Sequence, residues 1–353
     1  MAAARAGPAS GASAIPWWRP LLFTGGGVLL AFAVAAVPLA VAGKHPLTAY
    51  WSLIRGALGS ADALAFAINK STPYLLAGVG VALCFRAKVI NIGGEGQIAV
   101  GGLAAAWVAL TFPSLPSPLL IGSGLAAAGL AGAGWAGIAG ALRLTRNVHE
   151  VLGTLMLNFV GTLAVSEALH GPLGEPGAGF PQSPLFPENA WLPALVPGLE
   201  LHAGILLAVG AVLACHVVLW HTPFGFRLRL LGCGESVATY AGLSAGRSIL
   251  AVLLLAGGLA GLAGGVEVLG VHYRLIEGFS AGFGFNAVAI ALLAALEPAA
   301  VLPAGLFFGF LEAGALAMQR EVGVPSSLVF VIEGLTMVFV LCAMGVGAGR
   351  PRV

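Results

Sequence analysis

The chain has 353 residues, of which 59% are hydrophobic and only 8% charged, too few charges to cover a water-soluble surface of this size. Its formal net charge of +2, with no basic tract, excludes a nucleic-acid-binding protein. Isolated cysteines (Cys84, Cys215, Cys233 and Cys342) without metal-ligand spacing, and the absence of an H-E-x-x-H, a nucleophile elbow or a GxxxxGK[ST] phosphate cradle, leave no catalytic residue, metal site, cofactor motif or ATPase of its own.

The predicted elements are all apolar helices. Arg5 and Arg19 precede a run from Leu21 to Ala42. Ala40-Val41-Ala42 resembles a signal-peptidase site, but the run is too long for a signal core and long enough to cross a bilayer, so it reads as an uncleaved first helix. Further spans follow at 70–85, 92–112, 118–142, 149–169, 202–220, 248–271, 283–297, 299–318 and 327–346. Pro73 should kink the second of these. The fold class is therefore an all-α, polytopic membrane protein of about ten transmembrane helices over 21–346. A short segment 1–20 and a tail 347–353 flank it. The 53 glycines fit this reading, because small residues let membrane helices approach closely.

Basic residues set the orientation. With the N-terminus in the cytoplasm, Arg5, Arg19, Arg86, Lys88, Arg143, Arg146, Arg227, Arg229, Arg247, Arg350 and Arg352 fall inside, against Lys44, Arg55, Lys70, Arg274 and Arg320 outside. Both termini are then cytoplasmic. Of the external loops, 43–69 carries an amphipathic helix with Leu47, Tyr50, Trp51, Ile54 and Leu58 in a stripe at the membrane interface. The Pro-rich loop 170–199 is extended and too poor in apolar residues to form a domain. Gly94-Glu95-Gly96-Gln97-Ile98-Ala99-Val100 can be laid over Gly282-Phe283-Gly284-Phe285-Asn286-Ala287-Val288, which suggests an inverted repeat with a solute path at its interface.

Two segments carry functional signals. In Phe85–Gln97, glycines and polar groups interrupt the helical pattern, and irregular backbone at membrane depth survives only inside protein or along a wet cavity. Asn91, Glu95 and Gln97 are therefore expected at a helix break or along a path. The stretch from His221 to Arg247 is too polar to cross the membrane, and its 236–241 part can form a short cytoplasmic helix. Such a helix suits docking in a groove of an ATPase subunit, whose closure it would transmit as a rigid-body movement.

At these segments the chain resembles the permease subunits of bacterial ABC importers for nucleosides and simple sugars, which belong with the ribose and branched-chain amino acid permeases. The matching residues are F-R-A-K-V-I-N-I-G-G-E-G-Q (85–97), N-V-H-E-V-L-G-T-L-M-L-N (147–158) and R-L-R-L-L-G…Y-A-G-L (227–243). E-G-F-S-A-G-F-G-F-N-A-V-A-I-A-L-L (277–293), A-M-Q (317–319) and G-V-P-S-S-L-V (323–329) match as well. The resemblance implies an inner-membrane importer in which ATP is used by a partner ATPase subunit. A second permease, identical or homologous, and a periplasmic or lipoprotein substrate-binding protein would complete it. The chain departs from the family pattern at Gly234, Thr239 and Glu333. The implied ATPase-coupling residues are Phe226, Arg227, Arg229, Gly232, Ala238, Tyr240 and Gly242. The substrate pathway would take Asn91, Glu95, Gln97, Asn158, Glu267, Phe283, Phe285 and Asn286. Amides such as Asn158 and Asn286 can both donate to and accept from a ribose or base, and Phe283 and Phe285 could stack on a base.

Glu267, Glu312 and Glu333 lie within spans, where a carboxylate serves either a path or helix-to-helix bonding. Composition, broken helices and the repeat alone also fit a secondary transporter driven by an ion gradient, with Glu95 or Glu267 as its ion site. That alternative has no use for a cytoplasmic docking helix. An integral-membrane enzyme would need a catalytic constellation that the sequence lacks.

Overall fold

A computed structural model describes residues 18–280 and 282–347; the expectations placed on 1–17 and 348–353, with Arg5, Arg350 and Arg352, fall outside them. The described residues form thirteen α-helices. They are α1 (Trp18–Val41), α2 (Pro46–Leu58), α3 (Ala61–Arg86), α4 (Gly94–Thr111), α5 (Ser117–Arg146), α6 (Glu150–His170), α7 (Gly204–His221), α8 (Pro223–Cys233), α9 (Glu235–Tyr240), α10 (Ala245–Glu267), α11 (Phe283–Leu293), α12 (Pro298–Val322) and α13 (Ser326–Gly347). A π-helical turn, Val268–His272, follows α10 directly. Five helices (α5, α6, α7, α12, and α10 with its π turn) are long and apolar enough to cross a membrane by themselves, or six spans if α1 and α2, bent by 119°, count as one. α3 and α4 fall outside that set because polar residues interrupt their apolar stretches, Asn69, Lys70, Ser71 and Thr72 in α3 and Glu95 and Gln97 in α4, and neighbouring helices cover them.

α3 is the central helix. Every residue from Asn69 to Cys84 is buried, enclosed by α7, α10, α11 and α12. It starts at Ala61, earlier than the span expected at 70–85. Ser60 caps it, with its hydroxyl accepting from the Ala63 N–H at 3.1 Å, and Asp62 sits in the first turn, where a carboxylate meets the positive helix end. Lys70, expected in the outer loop, is therefore inside the protein. Hydropathy missed this part of the helix because Asp62, Asn69 and Lys70 are polar, although neighbouring helices supply their partners. α12 likewise continues to Val322 and takes in Arg320. α11 stops at Leu293, short of 297, because Ala295 and Leu296 adopt left-handed conformations.

α4, α5 and α10 pack through small residues. A Cβ on Gly132 or Gly261 would fall on the backbone of the facing helix, so only glycine permits that spacing. α2 lies with Ala49, Leu53 and Ala57 buried and Gly56 against Gly314 and Ala317 of α12. Its stripe of Leu47, Trp51, Ile54 and Leu58 faces away from the protein. The 170–199 loop is extended and runs beside 269–277. The N–H groups of Ser183, Phe186 and Leu192 donate to the carbonyls of Leu275, Tyr273 and Leu269 at 2.8–2.9 Å, and Phe186 is buried beneath. Asn189 pins the loop to the α4–α5 turn by donating to the carbonyls of Pro113 and Leu115.

Candidate functional site

The two Gly-x-Gly segments of the proposed repeat meet in space. α4 and α11 start from one junction, with Gly94 and Gly284 in backbone contact. A Cβ at Gly284 would collide with Gly94 and Glu95, which is why glycine stands there. Glu95, in the first turn of α4, turns its carboxylate to the start of α11. Its Oε1 accepts from the Ser280 hydroxyl at 2.6 Å and the Gly282 N–H at 3.1 Å, and its Oε2 accepts from the Gly284 N–H at 2.9 Å. One carboxylate thus satisfies orphan donors of α11 while complementing the positive end of both helices.

The other amides hold the chain leading into α4. Lys88, left-handed with φ 55°, turns the backbone away from α3. Asn91 and Gln97 exchange hydrogen bonds at 3.2 and 3.1 Å, and Asn91 Oδ1 also accepts from the Gly93 N–H at 3.0 Å. Asn158 on α6 donates to the Ile92 carbonyl at 2.8 Å and accepts from the Gly96 N–H at 2.9 Å. One turn earlier, Thr154 accepts from the Ile92 N–H at 3.3 Å. All four predicted polar residues, Asn91, Glu95, Gln97 and Asn158, are buried at this junction, and each of them is hydrogen-bonded to protein.

A second polar cluster joins α3, α10, α11 and α12. Lys70 Nζ lies 3.3 Å from Glu267 Oε1 and 3.5 Å from Glu312 Oε1, and it sits over the Phe283 ring at 5.3 Å. Tyr74 donates to Glu312 Oε2 at 2.7 Å, Asn286 Nδ2 donates to the Tyr74 hydroxyl at 3.2 Å, and His272 of the π turn is 3.4 Å from Glu267 Oε1. Glu267 and Phe283 are fully enclosed, whereas Phe285 is 45% exposed. Glu267, Phe283 and Asn286 thus share one cluster with Lys70, which sequence reasoning left out. The available signal was only that Lys70 begins a predicted span while Glu267 and Glu312 lie within others.

Open space lies on the face made by α4, α6 and 277–280. A cavity of about 220 Å³ is lined by Thr162, Ser166, Glu277 and Ser280 among others. Beside it an apolar groove of about 860 Å³ runs between α4 and the 168–184 segment. Ser280 links the smaller cavity to Glu95.

At one end of the bundle α8 and α9 lie between α7 and α10. α8 was not expected, although Thr222-Pro223 announces it. The Thr222 hydroxyl accepts from the Gly225 N–H at 3.2 Å, and Pro223 occupies the first turn. α9, Glu235–Tyr240, matches the short helix read at 236–241 to within a residue. Phe226, Arg227, Tyr240 and Gly242 are exposed, Tyr240 at 96%. Arg229, Gly232 and Ala238 pack inward: Arg229 stacks on the Trp220 ring at 4.8 Å, Gly232 abuts the Arg86 carbonyl, and Ala238 is buried.

Residues 63–341 match the family described as branched-chain amino acid transport system / permease component. The chain belongs to this family of membrane permeases. It is 39% identical over 324 residues to a glucose ABC transporter permease protein of Haloferax volcanii, covering 89% of this permease and 85% of that protein. A guanosine ABC transporter permease protein of Bacillus subtilis is 32% identical over 318 residues, with 89% and 90% covered. A nucleoside ABC transporter permease protein of Lactococcus lactis is 28% identical over 322 residues, with 89% and 88% covered. The permease is thus a multi-pass membrane protein with a transport role, and its family implies ATPase and substrate-binding partners.

Proposed function

We propose that this permease is the membrane-spanning subunit of an ATP-driven importer for a nucleoside or simple sugar, working by alternating access with a second permease, identical or homologous. The observation that carries the reading is near-full-length similarity to permeases named for glucose and for guanosine. Both solutes are neutral and rich in hydroxyls. In the cavity lined by Thr162, Ser166, Glu277 and Ser280, the Ser280 and Thr162 hydroxyls donate inward to Glu95 and to the Asn158 carbonyl and keep lone pairs for accepting, Glu277 accepts, and Ser166 can both donate and accept, a set that suits such a solute. The path runs along the α4–α6 face and is closed by the second permease. Asn91, Glu95, Gln97 and Asn158 shape it by fixing the helix break. Phe285 presents an aromatic face, and Asn286, Glu267 and Phe283 brace the wall from behind.

The α8–α9 end is the cytoplasmic side, in keeping with Arg86, Arg143, Arg146, Arg227 and Arg229 there, and both termini share it. Phe226, Arg227, Tyr240 and Gly242 meet the ATPase subunit, while Arg229, Gly232 and Ala238 seat the docking helices. The opposite end, covered by the 170–199 loop, receives the external substrate-binding protein.

Uptake of labelled guanosine and glucose into proteoliposomes holding the permease, its ATPase subunit and its binding protein tests this reading. Transport should require ATP and survive collapse of the proton and sodium gradients. Uptake that continues without ATP and stops when an ion gradient is collapsed would show a secondary transporter instead.

A further inference from the structure

We propose that Arg143, outside the docking surface, is the positioning residue that carries movement of α9 to α6 and so to the transport path. The proposal rests on the reading of α9 as the ATPase-docking helix. Arg143 lies in the last turn of α5. Its Nη1 is 2.7 Å from Glu150 Oε1, and its Nη2 is paired with Glu235. Glu235 is the first residue of α9 and Glu150 the first of α6, so one guanidinium joins the starts of both helices. The Glu235 arm is a hydrogen bond, whereas the Glu150 arm is a charge contact whose angle is not that of a hydrogen bond, so the planar guanidinium bridges the two carboxylates at Glu150 by charge and at Glu235 by direction as well.

α9 is built to move as a unit. Gly234 before it has φ 142° and Gly242 after it has φ 78°, conformations that side chains rarely adopt. Among the described residues, Arg143–Glu235 is the one ion pair that ties α9 to the transmembrane helices. On the far side of Arg143, α6 carries the displacement onward. Glu150, Thr154 and Asn158 stand one turn apart on its buried face and receive the N–H groups of Ile90, Ile92 and Gly96, the link into α4. Further along, Thr162 and Ser166 of the same helix line the cavity. A pull on Glu235 therefore reaches the junction and the cavity wall through a single helix. Partial burial protects the Arg143–Glu150 half of the relay from solvent, with side chains 18% and 9% exposed, while Glu235 lies at the surface where α9 moves.

The test uses the full reconstituted transporter, with guanosine and glucose as probes, and measures solute taken up per ATP hydrolysed. Arg143→Gln should keep basal ATP hydrolysis and the cross-link between a permease carrying Ser236→Cys, an exposed α9 position, and the ATPase subunit. Its uptake per ATP should fall about two- to thirty-fold, the span of a 0.5–2 kcal/mol coupling. Glu235→Gln, at an exposed position that folding tolerates, should lower the same ratio. The double variant should lose no more than the worse single one, because both break one relay. An unchanged ratio in Arg143→Gln, or losses that multiply in the double variant, would overturn the proposal. No cross-link from Ser236→Cys with Arg143 intact would instead overturn the docking reading beneath it.

Discussion

The α4–α11 junction and the α8–α9 end use polar and aromatic side chains in opposite ways. At the junction Asn91, Glu95, Gln97 and Asn158 are enclosed, and their hydrogen bonds go to backbone, to one another or, for Glu95, to the Ser280 hydroxyl as well. At the α8–α9 end Phe226, Arg227 and Tyr240 stand clear of the protein. The difference teaches how to read polarity in so apolar a chain. A buried polar group costs free energy unless it is bonded, so the enclosed ones fix a helix break, while the exposed aromatics beside Arg227 are what the proposed docking of an ATPase subunit would cover. The Lys70 cluster belongs with the junction in this respect, since its charges are spent on Glu267 and Glu312.

That contrast predicts two kinds of variant. Lys70→Met should have the largest effect on the fold. It leaves Glu267 and Glu312 without their shared cation, and breaking a buried pair in this way costs about 3–5 kcal/mol. Thermal unfolding in detergent should show a large drop, and an unchanged midpoint would remove the cluster from the interior. Glu95→Ala comes next. It strips the acceptor from Ser280, Gly282 and Gly284; Ser280 lines the open cavity and Gly282 is half-buried, so water can replace the carboxylate there, and the buried Gly284 N–H is left unpaired at about 1–3 kcal/mol. Less membrane-inserted protein and a lower unfolding midpoint are expected, with no variant at the α8–α9 surface matching it. Were Glu95→Ala as stable as the parent, the junction would not be what holds the two half-helices together. Tyr240→Ala should have the smallest effect on stability, within about 0.5 kcal/mol, because its side chain touches little protein.

Much of this was legible in sequence. Composition alone gave the membrane fold, and runs of apolar residues located most helices. Gly94-Glu95-Gly96 and Gly282-Phe283-Gly284 signalled segments that the structure brings into contact. Less visible was anything that depends on a partner distant in sequence. Lys70 looked like a loop residue because hydropathy counts its charge, whereas Glu267 and Glu312, which neutralise it, come from other helices. Asn158 could be named as a polar residue within a span, but not that its amide would grip Ile92 and Gly96. α8 was hidden because its Arg227 and Arg229 suggested a loop, although Thr222 and Pro223 were a start signal. The Arg143 relay was illegible for the same reason as the Lys70 cluster, since its three members lie on α5, α6 and α9.

ATP-dependent uptake by Tyr240→Ala, measured beside the amount of protein in the membrane, tests most directly whether the α8–α9 end serves a partner motor. The account predicts normal insertion with uptake abolished or nearly so. Uptake equal to that of the parent, at equal membrane content, would contradict it.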